Sequence, residues 1–188
     1  MLDLADLRSA CAGLLLATSA VFLNGTAGAA DEITDQLFID LLTASPEESL
    51  RIESQIVTRW SDSGSPQLNL LLHLGRRAMA ARRLNLALRY LNILTRRAPE
   101  FAEGWNARAT TYFLMGRYAQ SRSDIAITLQ LNPRHFGAMS GLAMIYEKLG
   151  DNQAALRIYQ DVEALQPNRP GLTETMNRLR QKLAATSV

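Results

Sequence analysis

Pro99, Pro133 and Pro167 stand 34 residues apart, and folding the chain onto that period sets most of residues 68–167 into chemically matched columns. Proline lacks a backbone donor and clashes with the preceding turn, so each of the three ends a helix at the same phase. A period of this length marks a stack of like helical units, each covering the apolar face of its neighbour. Such an array works by offering a surface to another polypeptide, so the mode of action is legible while the partner is not.

The columns have physical reasons. Gly75, Ala109 and Ala143 share one, and Ala87, Ser121 and Ala155 share another, all of them small. Leu71, Trp105 and Met139 are large together, as are Leu91, Ile125 and Tyr159. Ala78, Tyr112 and Tyr146 complete the set. Two helices cross closely only where a side chain is nearly absent, and a bulky neighbour then fills the space beside the crossing. Gly116 and Gly150 align midway, where a helix must stop and turn.

On these residues the segment 68–167 resembles three tetratricopeptide repeats, each a pair of antiparallel helices. Phe136 to Pro167 carries nearly the whole pattern, with Leu142, Ala143, Tyr146, Leu149, Gly150, Ala155, Tyr159 and Pro167. Ala102 to Pro133 follows with Trp105, Ala109, Tyr112, Gly116 and Tyr118. The first repeat keeps Leu74, Gly75, Ala87 and Pro99, but has Arg82 in place of the turn glycine and Ala78 in place of the aromatic. Arg108 interrupts a leucine column in the second. The resemblance implies an all-α, right-handed superhelical α-solenoid. Pro99–Asn106, Pro133–Ala138 and Trp60–Pro66 also resemble small exported bacterial proteins of this family.

A terminal repeat exposes an apolar face, which something must cover. Upstream, Leu37, Phe38, Leu41 and Leu42 mark one helical face, and Ile52, Ile56, Val57 and Trp60 a second. Ser45-Pro46-Glu47-Glu48 between them has the form of a capped helix start. Downstream, Leu172, Met176, Leu179 and Leu183 lie on one face of a helix after Pro170-Gly171. The expected organisation is therefore an export segment at 1–30, a divergent helix pair at 31–66 covering the open end, and repeats at 68–101, 102–135 and 136–169. A capping helix and tail follow at 170–188.

Cys11 to Leu23 is an apolar run of 13 residues followed by small residues through Ala30, the form of a cleavable export signal. A helix of that length rises only about 20 Å, short of the ~30 Å hydrocarbon core, so no transmembrane span is expected in the mature form. Periplasmic placement follows from cleavage after Ala29 or Ala30. An uncleaved N-terminus, where Asp3 and Asp6 oppose Arg8, would instead leave the protein cytoplasmic or membrane-associated.

Cleavage also removes Cys11, the one cysteine, and with it disulfide and thiol chemistry. His73 and His135 have no companions at metal-ligand spacing and read as ordinary structural or surface histidines. No Gly-rich phosphate loop or nucleophile motif occurs. The chain reads as non-enzymatic, without cofactor or metal.

Residues 63–99 contain seven arginines and no acid, whereas residues 31–62 contain eight acids against Arg51 and Arg59. The acidic segment is expected to pack beside the basic repeat, so internal pairing competes with an external anion. Export disfavours nucleic acid; an anionic lipid or cell-wall glycan is the alternative partner for the arginines.

In the resembled family the first helix of each pair lines a concave groove. By the 34-residue offset that groove holds Asn69, Leu72, Arg76 and Met79; Glu103, Asn106, Thr110 and Phe113; and Gly137, Ser140, Met144 and Glu147. Spacings of three, four and three put each set on one helical face. The mixed chemistry suits an extended peptide segment or an amphipathic helix of a protein partner, against the alternative that these side chains pack on the chain's own helices. Chaperone-binding relatives hold a C-terminal carboxylate at positions corresponding to Leu72, Arg76, Ala107, Gly137 and Gly141, of which only Arg76 has suitable chemistry.

Overall fold

The computed structural model describes residues 27–186. The export segment expected at 1–30 lies outside them except for Ala27–Ala30, which form the first turn of a helix. Among the described residues there are helices and no strands: α1 (Ala27–Leu41), α2 (Pro46–Trp60), α3 (Pro66–Ala80), α4 (Leu84–Arg97), α5 (Ala102–Leu114), α6 (Tyr118–Leu131), α7 (Phe136–Lys148), α8 (Asn152–Leu165) and α9 (Leu172–Thr186). Successive helices from α3 to α9 pack on one another, and the first helices α3, α5 and α7 are also neighbours, which makes an all-α solenoid of helix pairs. No described helix is long and apolar enough to cross a membrane.

Local chemistry sets the helix ends. At α2 the Ser45 hydroxyl accepts the Glu48 N–H and the Glu48 carboxylate accepts the Ser45 N–H at 2.9 Å, a reciprocal cap with Pro46 in the first turn. All three intra-pair turns close identically: Arg83 N–H donates to Ala78 O, Arg117 N–H to Tyr112 O and Asp151 N–H to Tyr146 O, each at 2.9 Å. This closure needs a left-handed residue just before the donor. Gly116 (φ 72°) and Gly150 (φ 81°) supply it, and Arg82 adopts the same geometry at φ 59°.

The small columns meet the large ones as the packing argument requires. A methyl group built on Gly75 would lie 2.7 Å from a Leu91 methyl, so these helices approach as closely as glycine permits. The apolar core divides into two clusters. One holds Leu72, Ala78, Ala87, Leu91, Leu94 and Ala107. The other runs from Ala109 and Ile125 through α7 and α8 to Leu172, Met176 and Leu179 of α9.

Arg108 sits at the division. It donates to both Asp124 carboxylate oxygens at 2.7 and 2.8 Å, to Asn92 Oδ1 at 3.0 Å and to Thr95 Oγ1 at 2.9 Å. Its guanidinium also lies 4.7 Å from the Trp105 ring centroid. The residue that breaks the leucine column thereby ties α4, α5 and α6 together with a charged clasp.

One expectation is corrected here. The α1–α2 pair does not cover the open face of the first repeat: Leu37, Phe38, Leu41 and Ile56 join the cluster of the third repeat and α9, and Leu70 on α3 remains 55% exposed. The acids of the pair follow it. Asp35 pairs with Arg134 and Glu53 with Arg169 at 3.5 Å. Aromatic and charge complementarity with the third repeat prevails over proximity in sequence.

Candidate functional site

The first helices carry the twelve groove positions, and the structure divides them by what already holds them. Asn69 clamps the α2–α3 loop, its Oδ1 accepting the Ser63 N–H at 2.9 Å and its Nδ2 donating to Asp62 at 2.8 Å. Leu72 is a core residue, 2% exposed. Met79 is half-buried beside it and accepts the Thr111 hydroxyl at its sulfur. These residues stabilise the first repeat.

Beneath them lies a buried polar network. Glu103, 3% exposed, pairs with Arg76, accepts from Asn106 Nδ2 at 3.2 Å and meets His135 Nε2 at 2.8 Å. His135 Nδ1 accepts the Ala138 N–H at 3.1 Å and so caps α7, which leaves the ring proton on Nε2, directed at Glu103. Burial would push the Glu103 carboxyl up, but the His135 hydrogen bond, the Arg76 charge and the Asn106 amide together hold it below its ordinary range. Arg76 also donates to Ser61 Oγ at 2.9 Å, so the one residue suited to a carboxylate clamp is already committed.

In the third repeat, Ser140 accepts Arg169 at 2.9 Å, and Glu147 accepts the Tyr159 hydroxyl at 3.0 Å and Arg178 at 2.8 Å. Burial, with the Glu147 charge beside it, pushes the Tyr159 phenol up. Gly137 lies half-buried next to His135. What stays accessible is a strip on the C-terminal halves of α5 and α7. Thr110 and Met144 are exposed, Met144 to 43%, and Phe113, three residues after Thr110 on α5, is half-buried with its ring 5.6 Å from Tyr118.

The N-terminal end of α7 is covered by the chain itself. The Trp60 ring stacks on His135 at 4.6 Å and lies 5.0 Å from Phe136, while Phe38 meets Phe136 edge-on at 6.4 Å. Arg134 lies 4.4 Å from the Phe38 ring centroid, and Asn168 donates to the Ala44 carbonyl at 2.8 Å. Sequence reasoning assigned none of Trp60, Arg134, His135, Phe136 and Arg169 to this face. The available signal was the basic-aromatic run Arg134-His135-Phe136 set against the acidic-aromatic helices upstream.

A second surface is defined by what it lacks. Arg77, Arg82, Arg83, Arg89, Arg96 and Arg97 are exposed, and among the described residues none has a carboxylate within ion-pairing distance. No described group of three or more His, Cys, Asp or Glu side chains is placed to hold a metal.

Comparison with known proteins agrees with this architecture. The tetratricopeptide repeat family model matches residues 72–122 and 107–170. A TPR repeat-containing protein of Rhizobium etli is 38% identical over 151 residues, spanning 80% of this chain and 74% of the relative. Among solved structures, the first TPR of Spaghetti (RPAP3) bound to an HSP90 peptide superposes with a TM-score of 0.59 at 22% identity, over 62% of this chain and 93% of that one. MamA superposes with a TM-score of 0.54 at 16% identity, over 84% of both chains.

Proposed function

The chain belongs to the tetratricopeptide repeat family, and on that premise we propose that it is a non-catalytic scaffold that holds a peptide segment or helix of a protein partner on its concave face. The observation that carries this reading is the accessible strip of Thr110, Phe113 and Met144, where apolar and hydroxyl groups stand together on adjacent first helices. Thr110 and Met144 are equivalent positions one period apart, so they present neighbouring points along one line. The Spaghetti domain, similar in fold, was solved with an HSP90 peptide bound, which supports a peptide as the occupant. We place the scaffold in the periplasm, with an envelope protein as its partner, on the strength of the apolar run Cys11–Leu23 and the small residues after it.

The test is a photo-crosslinking amino acid placed at Thr110, at Met144 and at Arg89 on the α4 surface, used in intact cells. The same partner captured from the first two positions and not from the third is the expected result, together with its loss in a Phe113→Ala/Met144→Asp variant that melts like the parent. Retained capture in that variant would remove the assignment.

The unpaired arginines favour a second reading, binding of an anionic lipid or wall glycan. Arg89 and Arg96 stand seven residues apart on one face of α4, about 10 Å along its axis. Salt-dependent sedimentation with vesicles containing phosphatidylglycerol, abolished by Arg89→Glu/Arg96→Glu, would support it; no sedimentation of the parent would end it.

A further inference from the structure

The α1–α2 pair is attached to the array unlike any other element. Close helix-on-helix contact runs from α3 to α9 and is not continued from α2 to α3. The pair instead crosses to the far repeat and is joined to α3 through residues 61–65. Its docking chemistry is specific: aromatic Phe38 and Trp60 enter against Phe136 and His135, and acidic Asp35 and Glu53 meet Arg134 and Arg169. Arg169 links the two sides, since it also donates to Ser140 in α7.

The same interface is incompletely satisfied. Ser49 Oγ and Glu53 Oε2, one turn apart on α2, are buried without a hydrogen-bond partner, as are both amide atoms of Gln166 beside Asn168 and Arg169. Burying a polar group without a partner is unfavourable, so the docked state is shallower than its apolar contacts alone would make it. A cleft filled by complementary aromatics and charges, yet carrying orphaned polar atoms, has the character of an occupied binding site whose occupant can be exchanged.

We propose that the face formed by Arg134, His135, Phe136, Asn168 and Arg169 is a ligand site held in cis by α1–α2, and that in trans it accepts an acidic amphipathic helix bearing aromatic residues. This rests on the reading of the array as a protein-binding scaffold. It adds the chemistry of the partner and a means of gating, because the partner helix must displace the chain's own.

The experiment uses the full chain and, as probe, a labelled synthetic peptide of residues 31–62. Asp35→Arg/Glu53→Arg reverses the cis charges at two sites that are not fully buried. The expected outcome is hydrogen exchange in α2 at least tenfold faster than in the parent, unchanged protection of α5–α8, and peptide bound at least tenfold more tightly. Adding Arg134→Glu/Arg169→Glu restores the opposite-sign pairs, so protection of α2 returns and the peptide no longer binds. Absence of a gain in peptide affinity overturns the proposal, whether or not α2 loosens. Loss of protection throughout α5–α8 also overturns it, since the pair is then core. Crosslinking from Thr110 and Met144 reads the strip separately from peptide affinity, so failure here and failure of the strip assignment are told apart.

Discussion

The Trp60 indole lies stacked on the His135 imidazole, ring centroids 4.6 Å apart and planes 27° from parallel. The contact joins the end of α2 to the residue that caps α7, and the opposite edge of the same imidazole meets buried Glu103. One ring thus transmits between the N-terminal pair, the third repeat and the second.

Glu103→Gln should reveal that link through pH. The folded-state carboxyl titrates below its ordinary value of 4.5, so its stabilisation is fully present above that value and is lost as pH falls through the folded one. At pH 7 the variant should lose roughly 2 kcal/mol, the scale of a charged buried hydrogen bond. The gap between parent and variant in urea unfolding should shrink steadily as pH falls below about 4.5. A gap independent of pH would mean that the charge of Glu103 contributes nothing.

Arg108→Ala should lose about 3 kcal/mol, because it strands Asp124, 4% exposed, without its bidentate partner. Arg108→Leu/Asp124→Leu should recover at least half of that loss, since a packed apolar pair replaces a buried ion pair at little net cost. Additive losses in a double-mutant cycle would show that the two side chains are not coupled.

Arg82→Gly should stabilise the protein by roughly 0.5 to 1 kcal/mol, as a left-handed conformation strains any residue with a Cβ by more than glycine's added chain entropy. Arg82→Ala should gain nothing, and Gly150→Arg at the equivalent turn should lose a similar amount. Thermal melts of the three variants decide the matter.

Gly75→Ala sets helix propensity against packing. Alanine gains about 1 kcal/mol in a helix, but its methyl would meet fully buried Leu91 at 2.7 Å, and overpacking costs about 1 to 3 kcal/mol. Net destabilisation is expected, relieved when Leu91→Val is added. A stabilised single variant would place the space elsewhere.

The repeat fold was legible because its determinants are local and periodic. Pro133 ends one helix, Gly150 turns another, and Gly75 faces Leu91 in the relation that the aligned columns imply. Groove positions were legible as a register and less so as a free surface. Leu72 and Glu103 lie on the same helical faces as Thr110 and Met144, yet the first two are buried and the last two exposed. Periodicity assigns a residue to a face and says nothing of what else reaches that face.

By itself the sequence determined the helix pairs, their boundaries and the all-α solenoid, since caps, turns and small-large columns act within a residue's own repeat or the next. Only the tertiary structure decided that α1–α2 returns to the third repeat, that Arg134 and Arg169 meet its acids, and that of the first repeat's arginines Arg76 alone meets a carboxylate among the described residues. Those contacts join residues as far apart as Asp35 and Arg134. They rest on the match of two distant surfaces, which no local pattern encodes.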